Sequence, residues 1–298
     1  MLDIKKDSLL YFIRDCDSNH KMYDKVDIGL IDQDKINTQL SLKDVLSIID
    51  EKKLVKPFLT IEKEIEEEKV NADLLIHGQR HIKNVVLYST IIGQNVFDNN
   101  HDLDLIMISA KYHDVGRKTE YYEDHAGPSA VIAEEKLKGK YSTEDISIIK
   151  TIIEFHEVDR ESEDVNKIFK QIATKNDIPD DKLSKVRKMA DVLKDADALD
   201  RTRFVNYGAR LDPELLEYDI SKNLVKFASS VQETYAIQDL KKYECDNEVN
   251  ITLKRNTPQE LLRLVRHNTN GYEEGKEYIR LLASDIEKNS KRMWLKWV

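Results

Sequence analysis

The chain has 298 residues, a formal net charge of −9 and a pI near 5.5. Apolar residues make up 40% of the chain and charged residues 35%, a composition typical of a water-soluble protein with an ordinary core. The acidic balance excludes an extended nucleic-acid footprint, because that needs an excess of Lys and Arg on one face. Nine glycines and five prolines are few, which disfavours a turn-rich β protein and favours helices.

The cysteines and the N-terminus indicate the compartment. Cys16 and Cys245 lie far apart, and neither belongs to a CxxC pair, so two reduced thiols in a cytoplasmic protein are expected. The short apolar stretch "LLYFI" is followed closely by Asp15 and Asp17, and we expect no signal peptide. The apolar runs are far shorter than the ~20 residues that a membrane span needs, so no membrane association is expected.

The first 70 residues predict helices without a motif that indicates chemistry. Residues 41–55 have apolar side chains at helical spacing, with Ser41 as a candidate N-cap and Pro57 as the expected stop. Residues 61–70, "IEKEIEEEKV", predict a charged helix whose acidic face is solvated. We expect this region to pack against the rest of the chain or to form a dimer surface.

The central part of the chain has a helical apolar period almost throughout. Residues 157–185 are the exception and predict a polar connection. Ser142 is a candidate N-cap for the helix that ends near His156. The predicted helices are 73–96, 102–113, 129–138, 142–156 and 185–203.

After Pro213 the sequence predicts two or three further amphipathic helices, again without a motif. Only "EVNITLKR", residues 248–255, alternates in the manner of a strand. The expected fold class is therefore all-α. The expected organisation is an N-terminal helical extension (1–70), a central helical domain (71–212) and a C-terminal, mainly helical extension (213–298).

Three predicted helices bring an imidazole or a carboxylate to their apolar face. His81 lies on the stripe of the first helix, His113 and Asp114 end the stripe of the second, and Asp197 lies on the inward face of the last. A single inward histidine is more often a hydrogen-bonded core residue than a ligand. A buried carboxylate, however, needs a cationic partner, and no buried Lys or Arg is evident beside these residues. A divalent metal ion is the economical partner.

The order of these residues resembles the HD-domain superfamily of metal-dependent phosphohydrolases. "HGQRHIKNVV" is similar to the family's first motif, in which the second histidine, here His81, is a ligand. "AKYHDVGRK" resembles the HD motif, with His113 and Asp114, and "LKDADALDRTR" resembles the last motif, with Asp197 as the ligand. The resemblance covers roughly residues 71–212 and implies an HD-domain helical bundle that hydrolyses phosphate esters.

Many proteins of this family hold two metal ions through additional histidines, and the resemblance implies candidates for these. "HAGPSA" resembles an H-x-x-x-S-A element and offers His125, and "IIEFHE" offers His156 at a helix end. The alternative for both is an ordinary loop or helix-terminal histidine. His77, one turn before His81, is assigned to binding the substrate or to hydrogen-bonding a ligand residue, and ligation of the metal is the alternative.

The segment "DADALD" contains two aspartates besides Asp197. Asp195 is expected to point to solvent. Asp200 lies three residues after Asp197 on the same face, and it is a candidate partner for Arg201, Arg203 or a ligating histidine.

Basic residues flank the ligand positions and are candidates for neutralising a phosphoryl group. Arg117 and Lys118 are assigned a catalytic role together with Asp114, and ordinary surface charge is the alternative for each basic residue. The remaining candidates for substrate binding, besides His77, are Arg80, Lys83 and Arg201.

The expected function is hydrolysis of a phosphomonoester or phosphodiester, of a nucleotide or a nucleotide-derived signal, by metal-activated water. One or two divalent ions are expected, and His and carboxylate ligands suit Mn, Fe, Zn, Ni, Co or Mg. A di-iron oxygenase and a non-catalytic nucleotide sensor on the same scaffold are the alternatives. "HGQRH" also has the HxxxH spacing of a zincin metalloprotease, but Gly78 stands where that chemistry needs a glutamate.

Overall fold

The structure is a computed structural model that describes residues 8–10, 39–40, 42–74, 77–119, 124–203, 211–253, 256 and 258–294. Thirteen α-helices have their bounds within these residues, and the β pairing there is an isolated bridge between Lys138 and Tyr141. The predicted all-α class is confirmed for this part of the chain. The helices are α1 (Leu42–Glu51), α2 (Val55–Glu67), α3 (Gln79–Val96), α4 (Asn100–Tyr112), α5 (Ala126–Leu137), α6 (Thr143–Phe155), α7 (Val165–Lys175), α8 (Leu183–Asp200), α9 (Asp219–Asn223), α10 (Val225–Lys241), α11 (Asp246–Thr252), α12 (Pro258–Asn268) and α13 (Tyr272–Trp294).

The chain divides into two compact units. The first contains residues up to Arg201 and residues 211–227, and the second contains residues 202–210 and those from Ala228 onward. The division therefore falls inside α10, further along the chain than the expected boundary at residue 213. Every predicted ligand belongs to the first unit. Among the described helices, none has the combination of length and apolar character that crossing a lipid bilayer requires.

The core of the first unit is built around α3. This helix packs against α2, α4 and α8, while α6 packs against α4, α5 and α8. Because neighbours cover α3 on several sides, four consecutive residues, 85–88, are all buried. A helix with an apolar stripe on one face only would leave some of these positions exposed. Each such side chain contributes roughly 1.5–3 kcal/mol when it leaves water. The central helix is thus held firmly, and its first turn has a fixed place.

Side-chain caps fix where α4 and α6 begin. The Asp102 N–H donates to the side chain of Asn99 over 2.8 Å, and the Asp145 N–H donates to Ser142 Oγ over 3.1 Å. These bonds satisfy N–H groups that have no partner within the helix. The predicted cap at Ser142 is confirmed. A fixed start sets the register of each helix, and so it also sets which residue stands at the other end.

Two boundaries before the candidate site differ from the predictions. The predicted 73–96 helix begins only at Gln79, because Gly78 directly before it has extended backbone angles, φ −80° and ψ −170°. Pro57 does not end a helix but lies in the first turn of α2. A proline is tolerated there, since the N–H that it lacks would have had no helical partner.

Two further differences lie downstream. The expected polar connection 157–185 contains α7, whose buried Phe169 and Ala173 form an apolar stripe too narrow to stand out from the polar residues. The strand predicted at 248–255 is wrong, since Asp246–Thr252 is helical. Its buried residues, Val249 and Thr252, are three apart, a helical spacing that short alternating segments also satisfy. Five described helices follow Pro213, rather than two or three.

The second unit has its own small core. In it α13 packs against α11 and α12. Cys245 is a buried free thiol in this core, and burial raises its pKa, so it stays protonated. Cys16 lies outside the described residues. The apolar residues of this core are Ala236, Leu240, Val249, Leu261, Leu262, Val265 and Ile279.

Candidate metal centre

The structure brings the six predicted ligands together where the ends of five helices meet. His81 is in the first turn of α3, and Asp197 is in the last turn of α8. The other histidines stand at helix ends: His113 at the end of α4, His125 at the start of α5 and His156 at the end of α6. Asp114 directly follows His113, so the helix that delivers this imidazole also delivers a carboxylate.

Each of the four imidazoles is held from behind through its Nδ1 atom. His113 donates to the Ala110 carbonyl over 2.8 Å and His156 donates to the Ile153 carbonyl over 2.6 Å. His81 Nδ1 is 2.8 Å from a carboxylate oxygen of Asp200, and His125 Nδ1 is 2.7 Å from one of Glu157. A hydrogen on Nδ1 satisfies all four contacts. In that tautomer Nε2 carries a lone pair.

The four Nε2 atoms face inward in two pairs. His81 Nε2 is 3.2 Å from His113 Nε2, and His125 Nε2 is 3.3 Å from His156 Nε2. Two lone pairs cannot hydrogen-bond to each other. Ligand nitrogens about 2.0–2.1 Å from one cation, at ordinary coordination angles, stand about 3.0–3.4 Å apart. The donor spacing therefore fits a shared cation within each pair.

The Asp114 carboxylate lies between the two pairs of imidazoles. Its Oδ1 is 2.6 Å from His125 Nε2 and 3.7 Å from His156 Nε2, while its Oδ2 is 3.4 Å from His81 Nε2. Burial alone would raise the pKa of Asp114, but its interactions with the surrounding histidines outweigh burial and hold the pKa well below the ordinary value. The carboxylate is anionic and presents one oxygen to each pair.

Asp197 completes the first pair and lies toward solvent. Its Oδ1 is 3.4 Å from His81 Nε2 and 3.9 Å from His113 Nε2. Burial opposes ionisation of Asp197, yet His81 and His113 lower its pKa overall. Its side chain is 26% exposed, whereas the four histidines and Asp114 are buried. Asp197 thus lies on the side of the cluster that is open to solvent.

Two sets of three residues have donor atoms close enough to hold one ion: His81, His113 and Asp197, and His113, Asp114 and His156. His125 joins the second set through its contacts to His156 and Asp114. We call His81, His113 and Asp197 the His81 half, and His125 with His156 the His125 half. Burial lowers the pKa of His113 to about 4, so this imidazole is in the neutral form that binds metals.

Carboxylates behind the histidines orient two of the ligands. Asp200, which is fully buried, accepts from Asn84 over 2.8 Å through the oxygen that does not face His81. Of the partners considered for Asp200, the structure shows a histidine, His81. Glu157 has the same place behind His125, and its second oxygen accepts the Ala126 N–H over 3.1 Å. Glu157 was not predicted, although it directly follows His156 in the sequence.

The prediction that Asp195 points to solvent is wrong. Its carboxylate is fully buried and lies 2.6 Å from Arg160. It also accepts the backbone N–H groups of Glu217 and Tyr218 over 3.0 and 3.1 Å. The helical period did place Asp195 away from Asp197, but that side of α8 is covered by chain segments rather than by water. Asp195 is a structural residue that ties these segments to α8.

Close backbone contacts hold the turn that follows α4. A Cβ on Gly116 would stand 2.6 Å from the Ser129 nitrogen, so only glycine lets the turn approach α5 this closely. The Gly116 N–H donates to Ser129 Oγ over 2.9 Å. Asn71, which the sequence did not single out, donates from Nδ2 to the carbonyls of His77 and Asp114 over 2.9 and 3.1 Å. The glycine and serine of the two motifs thus position His113, Asp114 and His125.

Of the basic residues that were predicted to bind phosphate, Arg117 lies against the cluster. Its Nη2 is 3.0 Å from His125 Nε2, and its Nε is 3.4 Å from Asp114 Oδ2. Its side chain is only 10% exposed, so the expectation that no buried cation stands beside the ligands is wrong. The guanidinium already balances part of the negative charge of the carboxylates.

The other candidates lie in different settings. Lys83 is directed to α2, where its ammonium is 2.6 Å from Glu66, so it is not brought to the cluster. His77 is partly buried, and its ring lies edge-on to His81 at 5.6 Å between centroids. The remaining three, Arg80, Lys118 and Arg201, are exposed.

No family model, no curated protein and no solved structure matches this chain. The assignment of a function therefore depends on the geometry of the cluster and on the residues that form it.

Proposed function

We propose that the chain is a metal-dependent phosphohydrolase that cleaves a phosphomonoester or phosphodiester. The observation that carries the proposal is the inward direction of four Nε2 lone pairs, in two pairs 3.2 and 3.3 Å apart, around the Asp114 carboxylate. The Nδ1 contacts direct these nitrogens toward each other. A cation in each half would be held by the facing nitrogens, and Asp114 would offer one carboxylate oxygen to each half.

Charge balance favours two cations over one. Four carboxylates, those of Asp114, Asp197, Asp200 and Glu157, surround the neutral imidazoles, and the Arg117 guanidinium lies beside Asp114. One divalent ion leaves this group of residues negative, which would repel a phosphate ester. Two divalent ions make it positive, so an anionic substrate becomes favourable. Nitrogen and carboxylate donors suit Mn, Fe, Zn, Ni or Co, and Mg less well.

A bound divalent ion lowers the pKa of its water from ~15.7 towards ~7, and so supplies a nucleophile at neutral pH. The residues of this chain contribute position and charge. Asp114 and Asp197 hold the cations, and the exposed side of Asp197 admits the substrate. Arg117, within reach of Asp114 and His125, neutralises the negative charge that develops on the phosphoryl oxygens. The proposed substrate class is a nucleotide or a nucleotide-derived signal, and this choice is supported only by the resemblance of the motifs to HD-domain proteins.

The test is metal analysis of the purified protein, followed by a hydrolysis screen of nucleotides, cyclic dinucleotides and generic phosphate esters. We expect two divalent ions per chain and hydrolysis that chelation abolishes. Asp197→Ala should remove most of the turnover. Asp181→Ala, an exposed aspartate just before α8, is the matched control and should leave turnover unchanged.

Three results would contradict the proposal. Parental turnover by a folded Asp197→Ala protein that keeps its metal would remove the assignment of the site. Turnover that needs both iron and dioxygen would replace hydrolysis by oxygenation. Tight nucleotide binding without turnover, in protein that holds its full complement of metal, would indicate a sensor.

A further inference from the structure

Lys194 is a buried lysine that binds the chain segment behind the His125 half. It lies on α8, one turn before Asp197, and is 6% exposed. Its ammonium donates to the Val158 carbonyl and is 3.4 Å from the carbonyls of Phe155 and His156. It also lies 4.8 Å above the centre of the Phe155 ring. The ammonium therefore closes the C-terminal end of α6, where helix carbonyls lack partners and carry partial negative charge.

A second buried lysine in the same unit shows how different this environment is. Lys111 pairs with the carboxylates of Glu64 and Glu68 at 2.8 and 2.7 Å, and these bonds raise its pKa in spite of burial. Among the described residues no carboxylate forms an ion pair with Lys194. Burial and the charge of Arg160 lower its pKa to about 8. An apolar side chain would avoid this cost, so the stability of α8 alone gives no reason for a lysine here.

The carbonyls that Lys194 binds belong to the 155–158 turn. The position of this turn affects the orientation of both histidines of the His125 half. His156 follows α6 directly, and its ring is oriented by the Ile153 carbonyl of the last helical turn. Glu157 is the next residue and orients His125. A displacement of this turn would therefore move one ligand and release the other. In the His81 half the Nδ1 atoms are oriented by groups outside this turn, Asp200 and the Ala110 carbonyl.

We infer that Lys194 is a positioning residue for the His125 half: its ammonium fixes the 155–158 turn, and thereby sets the affinity of the second cation. This inference rests on the proposed two-cation site. In this arrangement α8 supports both halves: it provides Asp197 to the His81 half, and it positions the His125 half through Lys194. A loss at Lys194 should weaken the second cation and spare the first.

The experiment is a calorimetric titration of chelator-stripped protein with Mn²⁺, for the parental chain and two variants. Lys194→Met removes the ammonium and keeps the length of the side chain. Lys185→Met is the matched control on the same helix, since Lys185 is 52% exposed and pairs with Asp102 at 2.6 Å, away from the cluster. In Lys194→Met the second Mn²⁺ should bind about 10–100-fold more weakly, the usual effect of removing an outer contact, while the first binds as before. Lys185→Met should match the parental chain at both steps.

A second measurement needs no metal. Long-range ¹H–¹⁵N NMR of the stripped protein reports the tautomer of each histidine, and we expect His156 to lose its uniform Nδ1–H form in Lys194→Met but not in Lys185→Met. If circular dichroism shows that Lys194→Met does not fold, Lys194→Gln takes its place, because the amide keeps an N–H donor for the carbonyls. Lys194→Gln should weaken the second Mn²⁺ by less than the full range and leave the first unchanged.

The outcomes separate this inference from the proposed function. A parental chain that binds fewer than two Mn²⁺ contradicts the two-cation site itself. A parental chain that binds two, with a folded Lys194 variant that binds both equally well, overturns only the role of Lys194. Equal weakening of both cations in that variant also overturns it, because Lys194 would then act on the fold in general.

Discussion

The two halves of the cluster have the same kind of ligands but different support. In the His81 half the orienting carboxylate, Asp200, is fully buried and is itself fixed by Asn84. In the His125 half the equivalent residue, Glu157, has a side chain that is 23% exposed. Arg117 also stands 3.0 Å from His125 Nε2, where a positive charge competes with a cation. Similar donor atoms therefore need not bind a metal cation with similar affinity.

The physical reason lies in how tightly each ligand is held before a cation arrives. A buried, fully hydrogen-bonded carboxylate keeps its imidazole in one orientation, so binding a cation orders little. An exposed carboxylate shares its contacts with water and holds its imidazole less firmly. We therefore expect the His81 half to bind first and more tightly. The His125 half should bind second and determine whether the centre is complete.

The largest effect is expected at Asp114, which serves both halves. Asp114→Asn keeps the volume but removes the charge that faces His125 and His81. Both cations should bind more weakly, and turnover should fall by more than about 10³-fold, the upper end for one electrostatic group. Metal analysis and steady-state kinetics on the screened substrate measure this. Loss of one cation with the other retained at parental affinity would show that Asp114 belongs to a single half.

The second-largest effect is expected at the two carboxylates that orient histidines, and the loss of cation affinity should differ between them. Asp200→Asn and Glu157→Gln each remove one negative charge behind a histidine and preserve shape. Removing such a contact typically weakens a metal by about 10–100-fold. We expect Asp200→Asn to lie near the upper end for the first cation, and Glu157→Gln near the lower end for the second. Titration with Mn²⁺ measures both steps in each variant.

This pair of variants tests directly whether the two halves differ in how firmly their histidines are held. If Glu157→Gln weakens its cation as much as Asp200→Asn weakens its own, burial does not distinguish the halves. If each variant weakens both cations equally, the division into two halves is itself wrong. Parental thermal unfolding of the stripped variants is the control, since it shows that the cluster is still assembled.

The residues of the cluster could be predicted from the sequence because each lies in a local pattern. His81, His113 and Asp197 lie on or end an apolar stripe, and the helical period directs them to the cluster, where the two histidines are buried and Asp197 is partly exposed. His125 and His156 stand at helix ends, where their neighbours in the motif, such as Ser129, hold a turn close to α5. The all-α class followed from the same period. These are properties of single helices, and single helices are what periodicity reports.

Apart from Asp200, the supporting residues could not be found in this way, because their partners lie far along the chain. Asp195 is buried only because Arg160 and residues 217–218 fold over it. Lys194 reaches carbonyls that precede it by 36 or more residues. Asn71 donates to the carbonyl of Asp114, which lies 43 residues further along the chain. In each case the local sequence is compatible with exposure to solvent, and only the packing of distant segments shows otherwise.

The smallest effect is expected at Lys83, which lies two residues after His81 and was predicted to bind substrate. Its ammonium is held by Glu66 at 2.6 Å, on the side of α3 that faces α2. Lys83→Met should therefore change the affinity for either cation and the turnover by less than about twofold, and should cost at most about 1 kcal/mol of stability. Titration, kinetics and thermal unfolding of the one variant measure all three. A large loss of turnover with normal cation binding would mean that Lys83 leaves Glu66 for the substrate, and charge near His81 would then matter beyond the ligands themselves.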